Sequence, residues 1–346
     1  MNILVTRTDR LGDVLLATPV LKQLCAKLPH AKITFLVQKQ WMDVLRYGEK
    51  INLMVWDPQE PQDLFLQRLK QKTFDVALVL KDDRAVSWAL KKAKIPIRIG
   101  PYSTLRSFFL FNRGLMQRRS RCLMHEAEYN VQLLTRLGIE QAVHPAATVP
   151  SLRSWIEISD QHSEQAVAWI NSRNLLPKQY LCVHPGSSGS ARYLKPSDLS
   201  RWVSRLVAET PYKLILTGSE SEAALLNQIA DEAKLPQEHI FGGASGTQPL
   251  GVLAALYRNA EGVVAHGTGP LHLAAATGTK VYAIFPPLFV LSEKRWGPLS
   301  AQRTVWTPPV RCPEKYRCRG ERCDYFDCME KFNLDEAVTT ILGWKA

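Results

Sequence analysis

The feature that most constrains the fold is a segment in the last quarter of the chain where a strand, a turn, a helix and a strand follow one another. Residues 262–265 are apolar and predict the first strand, and a glycine turn begins at Gly267. Pro270 stands where a first helical residue is often proline, and the helix is predicted over 271–277. A second strand over 280–285 completes a βαβ unit, which requires a parallel sheet.

The start of that helix is a candidate anion site. A helix that opens after a glycine turn has free backbone N–H groups at the positive end of its dipole, which suits phosphate or diphosphate. Thr268, Gly269 and Pro270 open the helix, and His272 follows in its first turn. An ordinary βαβ turn without a ligand is the alternative at this point.

The N-terminus contains a second candidate site. The apolar strand over 3–6 runs into a polar turn and then a helix from about Gly12, which places Asp13 in the first helical turn. Ligands of open α/β sheets bind at the carboxyl ends of the strands. A carboxylate there can act as a general base, or it can only complement the helix dipole.

Together these stretches resemble glycosyltransferase family 9, the lipopolysaccharide heptosyltransferases. Four matches keep the family's order along the chain: Arg7 with Leu11-Gly12-Asp13, then His184-Pro185-Gly186, then 216–222, then 268–275. The last match departs from the family pattern at one position, because Gly267 stands where the family usually has Asp. In the family that Asp contacts the donor, so recognition of the donor sugar is left open.

Alternating strands and helices predict two α/β domains. Strands are expected over 2–6, 32–37, 51–55, 76–80 and 97–99, and again over 180–183, 213–216, 239–241, 262–265 and 280–285. The resemblance implies the GT-B architecture, with two Rossmann-like doubly wound domains facing a central cleft. We expect an acceptor-binding domain over 1–160, a donor-binding domain over 175–330, and a terminal helix over 331–346 that packs back on the first domain.

The resemblance also implies which residues bind the donor. The family has a lysine shortly after its small-residue loop to hold the donor diphosphate; Arg192 aligns there, and Lys195 is the other candidate. Glu222 resembles the family's acidic residue for the nucleotide ribose. A polar surface turn and a solvent-facing carboxylate are the alternatives. The predicted donor set is Ser187, Ser188, Arg192, Lys195, Glu222, Thr268, Gly269, Pro270 and His272.

The acceptor is expected to meet two basic regions of the first domain. Arg7, Arg10 and Gly12 surround the predicted base. The segment over 102–121 mixes aromatic side chains with arginines, which suits anionic lipid head groups and phosphate. A core-packing loop with a solvated basic rim is the alternative for this segment. The arginines predicted to bind the acceptor there are Arg113, Arg118, Arg119 and Arg121.

Charge and composition fit these expectations. The chain of 346 residues carries a formal net charge of +12, which favours acidic partners. It shows no nucleic-acid-binding signature, so a phosphorylated lipid A–core glycolipid at an anionic membrane surface is the expected partner. No apolar run reaches the ~20 residues that span a bilayer, and the N-terminus does not resemble a signal peptide. We expect a cytoplasmic protein, peripheral on the inner face of the inner membrane.

Four cysteines cluster near the C-terminus. Four thiols can hold structural zinc, but the gaps between Cys312, Cys318, Cys323 and Cys328 are looser than the usual paired spacing. Stable disulfides are not expected in a reducing cytoplasm. Free or redox-labile thiols are therefore the favoured prediction, and no metal or other cofactor is expected.

The leading hypothesis is an inverting, metal-independent glycosyltransferase. It would move heptose from ADP-heptose to the inner core of lipopolysaccharide, with Asp13 as general base. A family member that uses another nucleotide sugar is the runner-up, because Gly267 and Arg192 leave the donor open. A catalytically silent glycan- or nucleotide-binding protein is the third hypothesis, against which the retained Asp13 argues. A dehydrogenase is disfavoured because the first turn lacks a Gly-x-Gly-x-x-Gly fingerprint.

Overall fold

A computed structural model describes residues 1–140, 152–187, 193–246 and 248–343. The chain divides into two compact units, Met1–Glu157 and Ile158–Ala346. No helix in the described ranges combines the length and apolar character needed to span a bilayer.

The first unit is built on a five-stranded parallel sheet of order β3-β2-β1-β4-β5. Its strands are β1 (Asn2–Thr6), β2 (Lys32–Gln38), β3 (Ile51–Trp56), β4 (Val76–Val79) and β5 (Ile97–Ile99), with a short pair β6 (Pro101–Tyr102) and β7 (Leu115–Met116). Its helices are α1 (Leu11–Leu15), α2 (Thr18–Lys27), α3 (Gln62–Gln71), α4 (Arg84–Lys92), α5 (Leu105–Leu110) and α6 (Glu126–Gln132).

The strand order of the first unit creates a binding position. β1 and β4 are buried apolar runs, as expected for parallel strands covered on both faces. They lie side by side, with Val5 opposite Leu78, and the strand order reverses between them. Open α/β sheets bind ligands outside the carboxyl ends of the strands at such a switch point. The turn that follows β1 begins there.

The second unit repeats this plan in a six-stranded parallel sheet of order β10-β9-β8-β11-β12-β13. Its strands are β8 (Tyr180–His184), β9 (Lys213–Gly218), β10 (Ile240–Gly242), β11 (Gly262–His266), β12 (Lys280–Ile284) and β13 (Arg303–Trp306). Its helices are α7 (Asp160–Asn171), α8 (Pro196–Glu209), α9 (Ala223–Glu232), α10 (Leu250–Asn259), α11 (Gly269–Ala276), α12 (Glu293–Trp296) and α13 (Leu334–Gly343). The switch point lies between β8 and β11.

The terminal helix has packing partners within the second unit. α13 packs against α8 of the second unit, and its buried residues Ala337, Val338 and Ile341 join that unit's core. An ion pair between Arg205 and Asp335 adds a polar contact. The apolar stripe on α13 therefore finds its partner within its own unit.

Some predicted elements have different bounds. The helix predicted from about Gly12 ends at Leu15, and a second helix begins at Thr18, because Pro19 lacks an N–H donor and opens α2 rather than continuing α1. Between β2 and β3 the chain forms a 3-10 turn, Lys39–Val44. Helix α7, which lies almost entirely between the two predicted domain ranges, packs against α10. β13 was not predicted.

The packing of α13 predicts a position-specific loss of stability. Ile341→Ala removes a side chain that is buried in the second unit's core and should lower the free energy of unfolding by about 2–5 kcal/mol. Leu342→Ala, on the exposed side of the same helix, should cost much less. Urea unfolding of the two variants measures the difference. Equal losses would contradict this placement of α13.

Candidate functional site

A buried arginine organises the turn after β1. Arg7 is only 2% exposed, and its guanidinium contacts three carboxylates. Nε donates to Asp9 Oδ1 at 2.8 Å, Nη1 lies 3.3 Å from Glu126 Oε1, and Nη2 donates to Asp13. Burial disfavours the Arg7 cation, but the three carboxylates outweigh this effect and raise the pKa of Arg7. The side chain is therefore a fixed positive charge.

Asp13 is the member of this cluster that we consider as a candidate base. It lies in the first turn of α1, and its side chain remains 18% exposed. Burial raises the pKa of Asp13, and the negative charges of Asp9 and Glu126 raise it further, against the lowering effects of Arg7 and Lys81. A raised pKa makes a carboxylate a stronger proton acceptor once it is ionised.

Residues far away in the sequence hold the Arg7 side chain that contacts Asp13. Glu126 opens α6 and also accepts from Arg119 Nη1 at 2.5 Å, while Asn130 Oδ1 accepts from Arg7 Nη1 at 3.1 Å. Asn130 Nδ2 donates to Leu16 O, which ties α6 to the end of α1. Sequence analysis missed Glu126 and Asn130 as part of the site, since no local pattern connects them to β1.

The predicted acceptor residues have different environments. Arg7 is buried, and its guanidinium is engaged with partners in the protein. Arg10 is exposed at the N-cap of α1, and Gly12 is buried within that helix. Arg119 is largely buried and bound to Glu126 and to Gln117. The remaining three arginines are exposed: Arg113, Arg118 and Arg121.

In the second unit, the loop after β8 meets the turn after β9. Ser187 is buried in this loop. Glu222 Oε2 accepts from the N–H of Ser219 at 2.8 Å, and a Cβ on Gly186 would overlap Glu222 Oε1. Glycine at 186 therefore permits the carboxylate to lie against the loop. Glu222 has a capping role and is half-buried at the same time.

Two neutral histidines lie beneath this loop. His184 Nδ1 is 3.1 Å from Thr217 Oγ1, which is 2.9 Å from the hydroxyl of Tyr257. Burial lowers the pKa of His184 against the opposing effect of Glu222, so its approach of 3.8 Å to Glu222 is not an ion pair at neutral pH. Burial and His184 lower the pKa of His266 to about 4. Both rings are therefore uncharged at neutral pH.

The start of α11 has the predicted form, but the N–H of Thr268 is not available to an anion. Thr268 is the N-cap, Pro270 lies in the first turn, and the backbone from Gly267 to Pro270 is half-buried. The N–H of Thr268 is already used, because it donates to His266 O at 2.6 Å. Pro270 has no N–H, so the first-turn donors for an anion are Gly269 and Leu271. His272 is buried within the helix.

Gly267 lies against an aromatic ring. The last residues of β11 and β12, His266 and Ile284, are register partners, so Gly267 and Phe285 follow side by side. Phe285 is buried, and a Cβ on Gly267 would lie 2.5 Å from its Cε1. Such a contact requires a shift. The ring therefore occupies the space that any larger residue at 267 would need.

The remaining predicted donor residues are Lys195, Ser188 and Arg192. Lys195 is the N-cap of α8, is exposed, and pairs with Glu330 Oε1 at 2.5 Å. Ser188 and Arg192 lie outside the described residues.

The four C-terminal cysteines share one cavity. Cys312, Cys318, Cys323 and Cys328 line a cavity of about 430 Å³ together with apolar side chains such as Leu288. Within the described ranges, no three or more His, Cys, Asp or Glu residues form a group that could hold a metal ion.

Comparison with known proteins decides the family. The model of glycosyltransferase family 9 (heptosyltransferase) matches residues 64–323. The chain belongs to glycosyltransferase family 9. It is 26% identical over 315 residues, covering 89% of this chain and 90% of the relative, to a Haemophilus influenzae protein described as a glycosyltransferase.

Solved structures of family 9 proteins share the fold. A Veillonella parvula member superposes with a TM-score of 0.75 at 21% identity, covering 88% of this chain and 85% of that chain. The Escherichia coli ADP-heptose lipopolysaccharide heptosyltransferase II superposes with a TM-score of 0.72 at 20% identity, covering 99% and 100%. The family and the fold class, two Rossmann-like domains of the GT-B class, are thus confirmed, and the protein is a glycosyltransferase.

The contact between Gly267 and Phe285 predicts coupled stabilities. Gly267→Ala should lower the free energy of unfolding by about 1–3 kcal/mol, the usual cost of overpacking a buried site. In a Phe285→Leu background the same change should cost less, because the smaller side chain relieves the contact. Chemical unfolding of the wild type, both single variants and the double variant measures this coupling. Additive effects would mean that the two positions do not press on each other.

Proposed function

We propose that this glycosyltransferase is an inverting enzyme that moves heptose from ADP-heptose to the inner core of lipopolysaccharide, with Asp13 as general base. The observation that carries the proposal is the partly exposed Asp13 carboxylate held by Arg7 at the β1–β4 switch point. The similarity to the E. coli ADP-heptose lipopolysaccharide heptosyltransferase II supports the proposed donor and acceptor class.

Chemistry at Asp13 follows from its environment. The acceptor hydroxyl gives its proton to the carboxylate while its oxygen forms a bond to the anomeric carbon of the donor sugar. The bond from that carbon to the diphosphate breaks, and the nucleotide diphosphate leaves with the electron pair. A single displacement inverts the anomeric configuration. Arg7 fixes the carboxylate in place, which reduces the orientational cost of proton transfer.

The second unit would stabilise the leaving diphosphate. The N–H groups of Gly269 and Leu271 at the start of α11 and the cation of Lys195 are suited to this charge. Arg192 keeps its predicted role as a further cation. Glu222 would accept hydrogen bonds from the ribose through Oε1, since Oε2 already accepts from Ser219. With these donors supplying positive charge, the proposed reaction is metal-independent.

The acceptor would be a phosphorylated lipid A–core glycolipid. Arg10 is exposed beside Asp13 along the chain, and its guanidinium matches phosphate geometry. A cytoplasmic enzyme, peripheral on the inner face of the inner membrane, would meet this acceptor.

One observation favours a different nucleotide sugar as a second candidate donor. The family's Asp is replaced by Gly267, and Phe285 fills the adjacent space. A donor sugar at this position would face an apolar ring instead of a carboxylate. The heptose of ADP-heptose would thereby lose one polar partner, which leaves room for a sugar with a less polar edge.

The base assignment predicts a separation of chemistry from binding. Asp13→Asn keeps the shape of the side chain but cannot accept the proton, so kcat should fall by about 10²–10⁴-fold. The dissociation constant for the nucleotide should stay within twofold, because the second unit is unchanged. Transfer assays and calorimetric nucleotide titration measure the two quantities.

The control for this test is Asp43→Asn, which alters a carboxylate in the 3-10 turn after β2 and should leave both quantities unchanged. Near-normal turnover in Asp13→Asn would contradict the assignment of the base.

The charge environment of Asp13 also predicts a pH dependence. The base works when ionised, so activity should be present above its pKa and lost as the pH falls through it. Burial places this pKa above the ordinary Asp value near ~3.9. Lys81→Gln removes a charge that lowers the pKa of Asp13, so the acidic limb of kcat/KM should move to higher pH. Lys72→Gln, at an exposed site after α3, is the matched control. An unchanged or lowered limb in Lys81→Gln would contradict the account.

A further inference from the structure

Helix α5 exposes an apolar face. Leu105, Phe108 and Phe109 are 84%, 48% and 72% exposed. They occupy positions i, i+3 and i+4, which lie on one face of a helix. Surface helices of soluble proteins normally place polar side chains on the solvent side. α5 instead has large apolar groups there.

This face is firmly held. Ser107 and Leu110 on the opposite side of α5 are fully buried, and Thr104 and Ser107 form a reciprocal capping box at its start. The ring of Phe108 stacks on Tyr102 with centroids 4.2 Å apart. Met116, the register partner of Tyr102, is also exposed. The exposed apolar groups therefore belong to a folded surface.

The surrounding sequence is strongly basic. Between Asp83 and Glu126 there is no Asp or Glu, while ten Lys and Arg residues occur. Arg106 pairs with Asp82. Three exposed arginines make no side-chain ion pair within the described part of the chain: Arg113, Arg118 and Arg121. Exposed apolar groups followed along the chain by exposed cations match the chemistry of an anionic lipid surface.

We propose that this basic apolar surface, formed by Tyr102, α5, Met116 and the three unpaired arginines, docks onto an anionic phospholipid bilayer. Leu105, Phe108 and Phe109 enter the boundary between head groups and acyl chains, and the arginines contact the lipid phosphates. A second copy of the chain is disfavoured as occupant, because a symmetric contact would place this acid-free segment against itself. The inference rests on the peripheral membrane location in the proposed function and deepens it by naming the surface that meets the bilayer, and it does not depend on the donor.

Vesicle sedimentation tests the proposal with the full chain. Vesicles of phosphatidylcholine alone are compared with vesicles containing 3 parts phosphatidylglycerol to 7 parts phosphatidylcholine, a mixture chosen as roughly the anionic content that attracts basic surfaces. The wild type should bind the anionic vesicles at least ~10-fold more strongly, and added salt should release it. The triple variant Leu105→Ser, Phe108→Ser, Phe109→Ser should lose at least ~10-fold of this binding, since each buried CH₂ contributes to the anchoring.

Two further variants test whether binding requires this particular apolar face and whether it requires the arginine charges. Leu176→Ser with Val207→Ser removes exposed apolar groups from the second unit and should bind as the wild type does. Arg113→Gln with Arg118→Gln and Arg121→Gln should reduce binding to anionic vesicles and weaken its salt dependence. Thermal unfolding of all variants confirms that they fold.

Three outcomes would overturn the proposal: equal binding to both kinds of vesicle, unchanged binding of a folded α5 triple variant, or a wild-type dimer that the triple variant dissociates. The last outcome would assign this surface to a second copy.

Discussion

The compensation of charge around Arg7 is the interaction on which the first-unit site depends. A buried guanidinium is costly unless carboxylates and other acceptors surround it. Here Asp9, Asp13, Glu126 and Asn130 all contact it, and they come from the β1 turn, α1 and α6. Removing the arginine would leave three carboxylates close together without their central cation. The cluster therefore holds the turn together, while burial and the charges of Asp9 and Glu126 raise the pKa of Asp13 against the lowering effect of Arg7.

The two candidate sites differ in their electrostatics, although each lies at the carboxyl ends of strands in a parallel sheet. In the first unit the site is a charged cluster, in which Asp13 shares the cation of Arg7 with Asp9 and Glu126. In the second unit the histidines beneath the loop are neutral, and positive character comes from the start of α11 and from Lys195. In the proposed function, the first environment would suit a general base and the second would suit a departing anion.

Sequence patterns revealed the elements whose signals are local. Both sheets, the position of Asp13 after β1 and the start of α11 were predicted, because apolar strands and glycine turns are visible in short windows. The distant partners of Arg7 could not be predicted, since Glu126 and Asn130 lie more than a hundred residues away. The sequence shows Gly267 as a departure from the family pattern, but its contact with the ring of Phe285 becomes visible only once β11 and β12 are in register. The place of α13 depends on the core of its own unit, and no local pattern specifies that choice.

We propose that this family 9 enzyme takes an ADP-activated sugar, and calorimetric titration with ADP, UDP, GDP and ADP-heptose measures its nucleotide preference. ADP and ADP-heptose should bind at least ~10-fold more tightly than UDP and GDP, a difference of about 1.4 kcal/mol. Preferential binding of UDP or GDP, or the absence of binding by all four, would overturn the proposed donor.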